Sequence, residues 1–196
     1  MGLKGGRPMK ETREKILDAA CALLAEQGYA GFSYGQLAAR LQISKGLVAY
    51  HFPQKGAIFQ NLVQDCFAGA AEWLARCMDE GAPASALLAA YTAGVLRYVQ
   101  AHKVRTLAVM EIIANARTDG GALVYGDDAG ICGPVEEMLR YGQETDGFAA
   151  FDPRITARLA RSLIDAASAA VAQGRCENEE ALIAETVRCI SRMVEG

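Results

Sequence analysis

An all-helical chain with a small N-terminal head and a larger C-terminal body is predicted from three observations. Apolar residues recur at three- and four-residue spacing along nearly the whole sequence, with no strand-like alternation and no internal repeat. Gly, Pro and Asp cut that pattern into roughly nine segments of helical length. Charge is divided as well. Residues 1–55 carry eight basic and four acidic side chains, net +4. The remainder carries twelve and nineteen, net −7, giving −3 over 196 residues. A basic head on an acidic body suits a molecule that meets phosphate at one end only. The predicted domains are 1–54 and 55–196.

Composition removes several classes. A chain that is 52% hydrophobic and 22% charged is an ordinary folded one rather than a disordered one. Its longest uncharged stretch, 82–96, contains Pro83 and is shorter than the roughly 18–20 apolar residues of a membrane span, so no membrane partner is expected. The opening Met-Gly-Leu-Lys-Gly-Gly-Arg-Pro is basic but no apolar region follows it. It is not a signal peptide, and it lacks the Ser or Thr at position 6 of a myristoylation signal. Cys21, Cys66, Cys77, Cys132, Cys176 and Cys189 form no CxxC pair, and the chain has two histidines, so no metal site and no cofactor is expected. The cysteines read as reduced thiols filling core space in a cytoplasmic protein.

The first helix is predicted over 12–27. Ile16, Leu17, Ala20, Leu23 and Leu24 form its apolar stripe, and Gly28 ends it as a left-handed C′ residue. The second, over 33–41, opens with Ser33-x-x-Gln36, a capping box. Phe32 and Leu37 flank the cap as a hydrophobic staple. Gln42-Ile43 makes a tight turn, and Ser44 caps a third helix over 45–51. That helix has under two turns and needs anchors, which Val48 and Phe52 supply. Its other face carries Lys45, Gly46, Leu47, Ala49 and Tyr50, with Leu47 either exposed or in the core. Two short helices with the second exposed form a helix-turn-helix, whose second helix fits a DNA major groove.

The run Ile-Ser-Lys-Gly-Leu-Val-Ala-Tyr-His-Phe-Pro-Gln-Lys at 43–55 resembles the motif of the TetR family of bacterial regulators. Arg13-x-x-Ile16-Leu17-x-Ala19-Ala20-x-x-Leu23, Gly28-Tyr29 and Phe32-Ser33-x-x-x-Leu37-Ala38 resemble it in spacing too. The resemblance covers about residues 7–60. It implies a one-component transcriptional regulator that is released from palindromic operator DNA by a small-molecule effector, with repression the commoner sign. Many members carry Thr where this chain has Leu47 and an aromatic where it has Ala49, so no operator sequence is carried over.

Physics and resemblance together assign roles. Lys45 reaches a guanine edge or a phosphate. Tyr50 and His51 contact phosphate and fix register, with a packed position the alternative for His51. Lys55, in the first turn of a fourth helix, meets phosphate beside free backbone N–H groups. Ser33 and Gln36 cap, contact phosphate, or both. Ser44, Gly46 and Leu47 complete the DNA-facing set. Lys4, Arg7 and Lys10 lie on a Gly-rich tail that is either a minor-groove arm or plain tail.

In the body, helices are predicted over 54–78, 83–100, 103–116, 133–144, 152–173 and 178–194, with a mobile loop at 118–133. The last two are expected to pair with their copies in a four-helix homodimer interface. One face carries Ile155, Leu159, Leu163, Ala166, Ala167, Ala170 and Val171. The other carries Leu182, Ile183, Thr186, Val187, Ile190 and Met193. The alternative is that both simply close the monomer's core. A dimer sets two recognition helices about 34–36 Å apart, one DNA turn. Effector candidates are Phe67, Trp73, Tyr91, Tyr98, Met110, Glu111 and Asn115, aromatics and polar groups in otherwise apolar helices. Glu111 either meets a cationic or hydrogen-bond-donating ligand, reaches solvent, or pairs with Arg105 or Arg117. No nucleophile motif, phosphate loop or histidine pair points to an enzyme. Asp127-Asp128 lacks the spacing of a calcium loop.

Overall fold

The computed structural model describes residues 6–79, 81–125 and 129–195. Among these it has nine helices: α1 (Gly6–Gly31), α2 (Tyr34–Leu41), α3 (Lys45–His51), α4 (Lys55–Cys77), α5 (Ala84–Ala101), α6 (Lys103–Asn115), α7 (Ala129–Thr145), α8 (Pro153–Ala172) and α9 (Glu179–Arg192). None of them is long and apolar enough to cross a membrane. Contacts group the chain into two units. The first is 1–68 with 104–124, the second 69–103 with 125–196.

The first unit holds α1 to α3, the opening turns of α4, and α6. The predicted stripe Ile16, Leu17, Ala20, Leu23 and Leu24 is buried, and Phe32, Leu37, Val48, Phe52, Ile58, Phe59 and Leu62 are buried with it. Caps appear where the residue types require them. Ser33 Oγ accepts from Gln36 N at 3.3 Å, and Ser44 Oγ from Leu47 N at 3.1 Å. Gln42 turns the chain with φ 55° and ψ 40°, a left-handed residue that closes α2.

Two features of α1 correct the expectation. It begins at Gly6, so the stretch from there is helix rather than an extended arm. Pro8 is tolerated because first-turn N–H groups have no helical partner, and Glu11 pairs with Lys15 at 2.7 Å. Lys10 is exposed on this helix, whereas Lys4 and the Arg7 side chain lie outside the described residues. At the far end Gly28 interrupts the helix as expected and has a positive φ of 71°, but its ψ of 176° lies outside the left-handed helical well, and a further helical turn follows to Gly31. Cys21 and Cys66 are buried as small hydrophobes. Burial pushes the Cys21 thiol up to about 11, which keeps it protonated and unreactive at neutral pH.

In the second unit α5, α7, α8 and α9 pack together. Leu88, Tyr91, Leu96, Val135, Leu139, Ala157, Ala160, Ile164, Ile183 and Ile190 form its core. Asp152 caps α8 through the amides of Arg154 and Ile155, and Pro153 follows at the first helical position. The helix at 133–144 starts a turn earlier than predicted, at Ala129. Pro134 therefore sits inside α7, where it removes one backbone hydrogen bond without ending the helix. The predicted loop at 118–133 is partly ordered too. Thr118 N bonds Ala122 O at 2.8 Å, and Arg117 and Leu123 form an antiparallel bridge in the first unit. Asp127 and Asp128 lie outside the described residues.

The two faces expected to meet a partner divide. On α8, Ile155 and Leu159 are each 59% exposed and Ala166 is exposed, while Ala167 and Val171 are buried. On α9, Ile183, Thr186 and Ile190 are buried and Leu182 packs on the unit's core, so this face closes the monomer. Sequence periodicity finds an apolar face but not which neighbour covers it.

Candidate nucleic-acid interface

The recognition segment is built from its buried side outward. Val48 and Phe52 anchor α3, and Phe52 N bonds Val48 O at 2.9 Å as the C-terminal cap. The carbonyl of Phe52 accepts from the Tyr34 hydroxyl at 2.5 Å, which ties the end of α3 to the start of α2. Arg13, on α1, sets its guanidinium 4.9 Å from the Phe52 ring centre and donates to Asn61 Oδ1. A helix of seven residues is thus held by α1, α2 and α4.

What remains outward is Lys45, Gly46, Leu47 and Tyr50, all exposed; Leu47 is 37% and Tyr50 66% exposed. Neither α2 nor α3 contains a carboxylate. The nearby acid Glu26 is engaged by Arg40 at 2.7 Å, which holds its carboxyl below the usual range. His51 is half-buried, and its ring meets Tyr50 edge-on at 5.5 Å. Ser33 and Gln36 face each other across the α2 start. Ser33 Oγ donates to Gln36 Oε1 at 3.0 Å, and Gln36 Nε2 donates to Gln27 Oε1 at 2.6 Å. The arrangement is a one-way cap rather than the reciprocal box. The Lys45 side chain lies along Gly35: a Cβ built there would stand 3.1 Å from Lys45 Cε.

Lys55 departs from its assigned role. Its ammonium turns inward and donates to Phe32 O at 2.9 Å. It stands 5.0, 5.1 and 5.3 Å from the rings of Tyr29, Phe32 and Phe59. Burial lowers its pKa. A cation already held by a carbonyl and three aromatic faces is a strut between the end of α1, the α2 cap and α4, not a free phosphate contact. Lys55→Met is therefore expected to cost about 1–2 kcal/mol of stability. It should leave the slope of log affinity against log salt for DNA unchanged. A phosphate-neutralising lysine would take roughly 0.9 off that slope. Denaturant titration and salt-dependent gel shifts check both.

The effector candidates fall in different units. Phe67, Met110, Glu111 and Asn115 are in the first, Trp73, Tyr91 and Tyr98 in the second. Phe67 is exposed. Glu111 Oε2 accepts the Tyr29 amide at 3.0 Å, and Asn115 Nδ2 donates to Glu111 O at 2.9 Å, so Glu111 pairs with backbone rather than with Arg105 or Arg117. Trp73 meets Tyr98 edge-on at 6.1 Å, and Tyr98 stacks on His102 at 4.3 Å. Arg13 and Tyr29 enter from sequence as motif positions without a role, and Tyr34 does not enter at all. Its only sequence signal is an aromatic residue at the start of the second predicted helix.

The sequence model of the bacterial regulatory proteins of the TetR family matches residues 16–62, the three-helix head. The head of this chain is therefore similar to that of the TetR regulators. The biofilm operon icaADBC negative transcriptional regulator IcaR of Staphylococcus epidermidis is 31% identical over 68 residues, 35% of this chain and 37% of that protein. IcaR of Staphylococcus aureus strain Newman is 36% identical over 55 residues, 28% and 30% of the two chains. The match thus spans about a third of the curated relatives' own length. Beyond the head the likeness is one of fold. A TetR-family regulatory protein from Rhodococcus RHA1 superposes with TM-score 0.79 at 15% identity, over 94% of this chain and 97% of that one. A TetR-like transcriptional regulator from Rhodococcus sp. RHA1 gives 0.69 at 20% identity, over 91% of each. This chain therefore combines a head similar in sequence to those regulators with a body similar only in fold.

Proposed function

We propose that this protein is a DNA-binding transcriptional repressor that acts as a homodimer on a palindromic operator and is released by a small-molecule effector. The observation that carries the reading is the outward face of α3. Lys45, Gly46, Leu47 and Tyr50 are exposed on a helix rigidly seated by Val48 and Phe52, and no carboxylate of α2 or α3 opposes phosphate. Small residues let the backbone approach base edges, and Lys45 supplies a charge at the leading end. Repression is favoured because the IcaR relatives are named negative regulators. Dimerisation through 154–173 is favoured by Ile155 and Leu159, large apolar side chains left exposed on α8. Helix α9 would add its small outward residues Ala181 and Ala184 rather than its buried face.

Release follows from differential affinity. An effector that prefers a head spacing other than one DNA turn weakens operator binding by the ratio of its affinities for the two arrangements. The test is a gel shift on the DNA upstream of the protein's own coding region. Binding should fall steeply with salt. Lys45→Ala should weaken it by about 1–3 kcal/mol if the lysine reads a guanine. Binding to no fragment, or binding indifferent to salt and to Lys45→Ala, would sink the reading.

A further inference from the structure

Within the second unit, three buried side-chain polar atoms among the described residues lack a hydrogen-bond partner: Trp73 Nε1, Arg161 Nε and Ser168 Oγ. Each can donate, and two of them can only donate. Each such donor, taken by itself, is a place where an acceptor would be favourable. Arg161 is the strongest of the three because it is charged. Its side chain is only 19% exposed, and its visible counter-ion, Asp165, is 53% exposed at 2.6 Å one turn along α8. A pair so open on one side is screened by water and leaves much of the guanidinium charge uncompensated. Its other neighbour is the hydroxyl of Tyr91, on α5 and itself buried. Burial alone would lower the pKa of Arg161. Asp165 and Tyr91 outweigh that, so it stays charged. The apolar side chains Leu88, Ala157, Ala160 and Ile164 belong to the same packed core as Tyr91. Ser168 repeats the feature two turns along α8 from Arg161.

Building on the effector reading above, we infer that Arg161 and Tyr91 form the anchor for a carboxylate on an otherwise apolar effector. The carboxylate accepts from Arg161 Nε and Nη in the bidentate manner that guanidinium groups favour, with the Tyr91 hydroxyl donating to the same group. The apolar remainder is buried by the helices around it. Asp165 is then a competitor, an internal carboxylate that holds Arg161 when the effector is absent.

The full-length protein is titrated with octanoate and 4-phenylbutyrate, and with octanol and 4-phenylbutanol as neutral counterparts. Thermal shift and the fluorescence of Trp73, the single tryptophan, are followed, and operator binding is checked on the same preparation. At least one carboxylate is expected to bind and raise Tm, with its alcohol about tenfold weaker or more. Arg161→Gln should lower carboxylate affinity about tenfold. Arg161→Lys, which keeps the charge but removes Nε–H, should also lower it and serves if the glutamine variant does not fold. Asp165→Asn should raise affinity about threefold, a sign that a merely structural role for the pair would not give. Three results would overturn the inference: no carboxylate binding, alcohols binding as tightly as acids, or Arg161 variants with unchanged affinity. Absence of operator binding counts instead against the regulator reading, and the ligand result is then read by itself.

Discussion

Phe52→Ala is expected to unfold the three-helix head and abolish operator binding. Loss of a buried phenylalanine costs about 3–5 kcal/mol, a large part of the stability of a domain this size. The position concentrates several constraints. Phe52 is buried, caps α3 through its N–H to Val48 O at 2.9 Å, and accepts the Tyr34 hydroxyl on its carbonyl. Its ring lies under the Arg13 guanidinium. A seven-residue helix has too few internal hydrogen bonds to persist alone, so the exposed face goes with its anchor. Urea denaturation followed by far-UV circular dichroism, beside a gel shift, measures both consequences. Phe52→Leu, which keeps most of the volume, should lose about 1–2 kcal/mol and retain binding. A Phe52→Ala protein with wild-type midpoint and affinity would mean that α3 is seated by something else.

Gly28→Ala should have a comparably large effect, about 2.5–6 kcal/mol if both of its parts are lost in full. The backbone at Gly28, φ 71° and ψ 176°, lies where essentially only glycine goes, at a cost of about 1–3 kcal/mol for another residue. The added Cβ would also stand 3.2 Å from Glu111 Oε2. That carboxylate accepts the Tyr29 amide at 3.0 Å, and a hydrogen bond to a charged group contributes about 1.5–3 kcal/mol. Glu111→Gln keeps an acceptor and should lose less than Glu111→Ala, which leaves the amide unsatisfied. Amide hydrogen exchange at Tyr29 reports the contact directly, with faster exchange expected in the order wild type, Gln, Ala. Equal exchange in all three would remove Glu111 from this role. The contact joins α6 to the end of α1, so residue 111, an effector candidate by sequence, also fixes where the helix-turn-helix begins.

The head was legible because its determinants are local. Ser33 and Ser44 cap helices whose amides lie three residues on, Gln42 turns the chain at its own dihedrals, and the stripe from Ile16 to Leu24 needs only helical periodicity. The body was legible as helices but less so as surfaces. Ile155 and Leu159 on α8 face outward as expected, yet the α9 face of Ile183, Thr186 and Ile190 is consumed by the monomer's own core. A hydrophobic period states that a face is covered, and the covering neighbour is chosen by the packing of all the helices together.

By itself the sequence determined the number and order of the helices among the described residues, the cap positions Ser33 and Ser44, and the exposure of Lys45, Gly46 and Tyr50, while Leu47 stayed open between surface and core. Those features depend on residues within a few positions of one another. Tertiary structure alone decided that Lys55 turns into a cage 23 residues back along the chain, that Glu111 caps a backbone amide 82 residues away, and that Arg161 is buried beside Tyr91 with a donor unspent. A long charged side chain has several partners within reach of its stem. Which one it takes is set by desolvation and geometry that exist only once distant segments have packed.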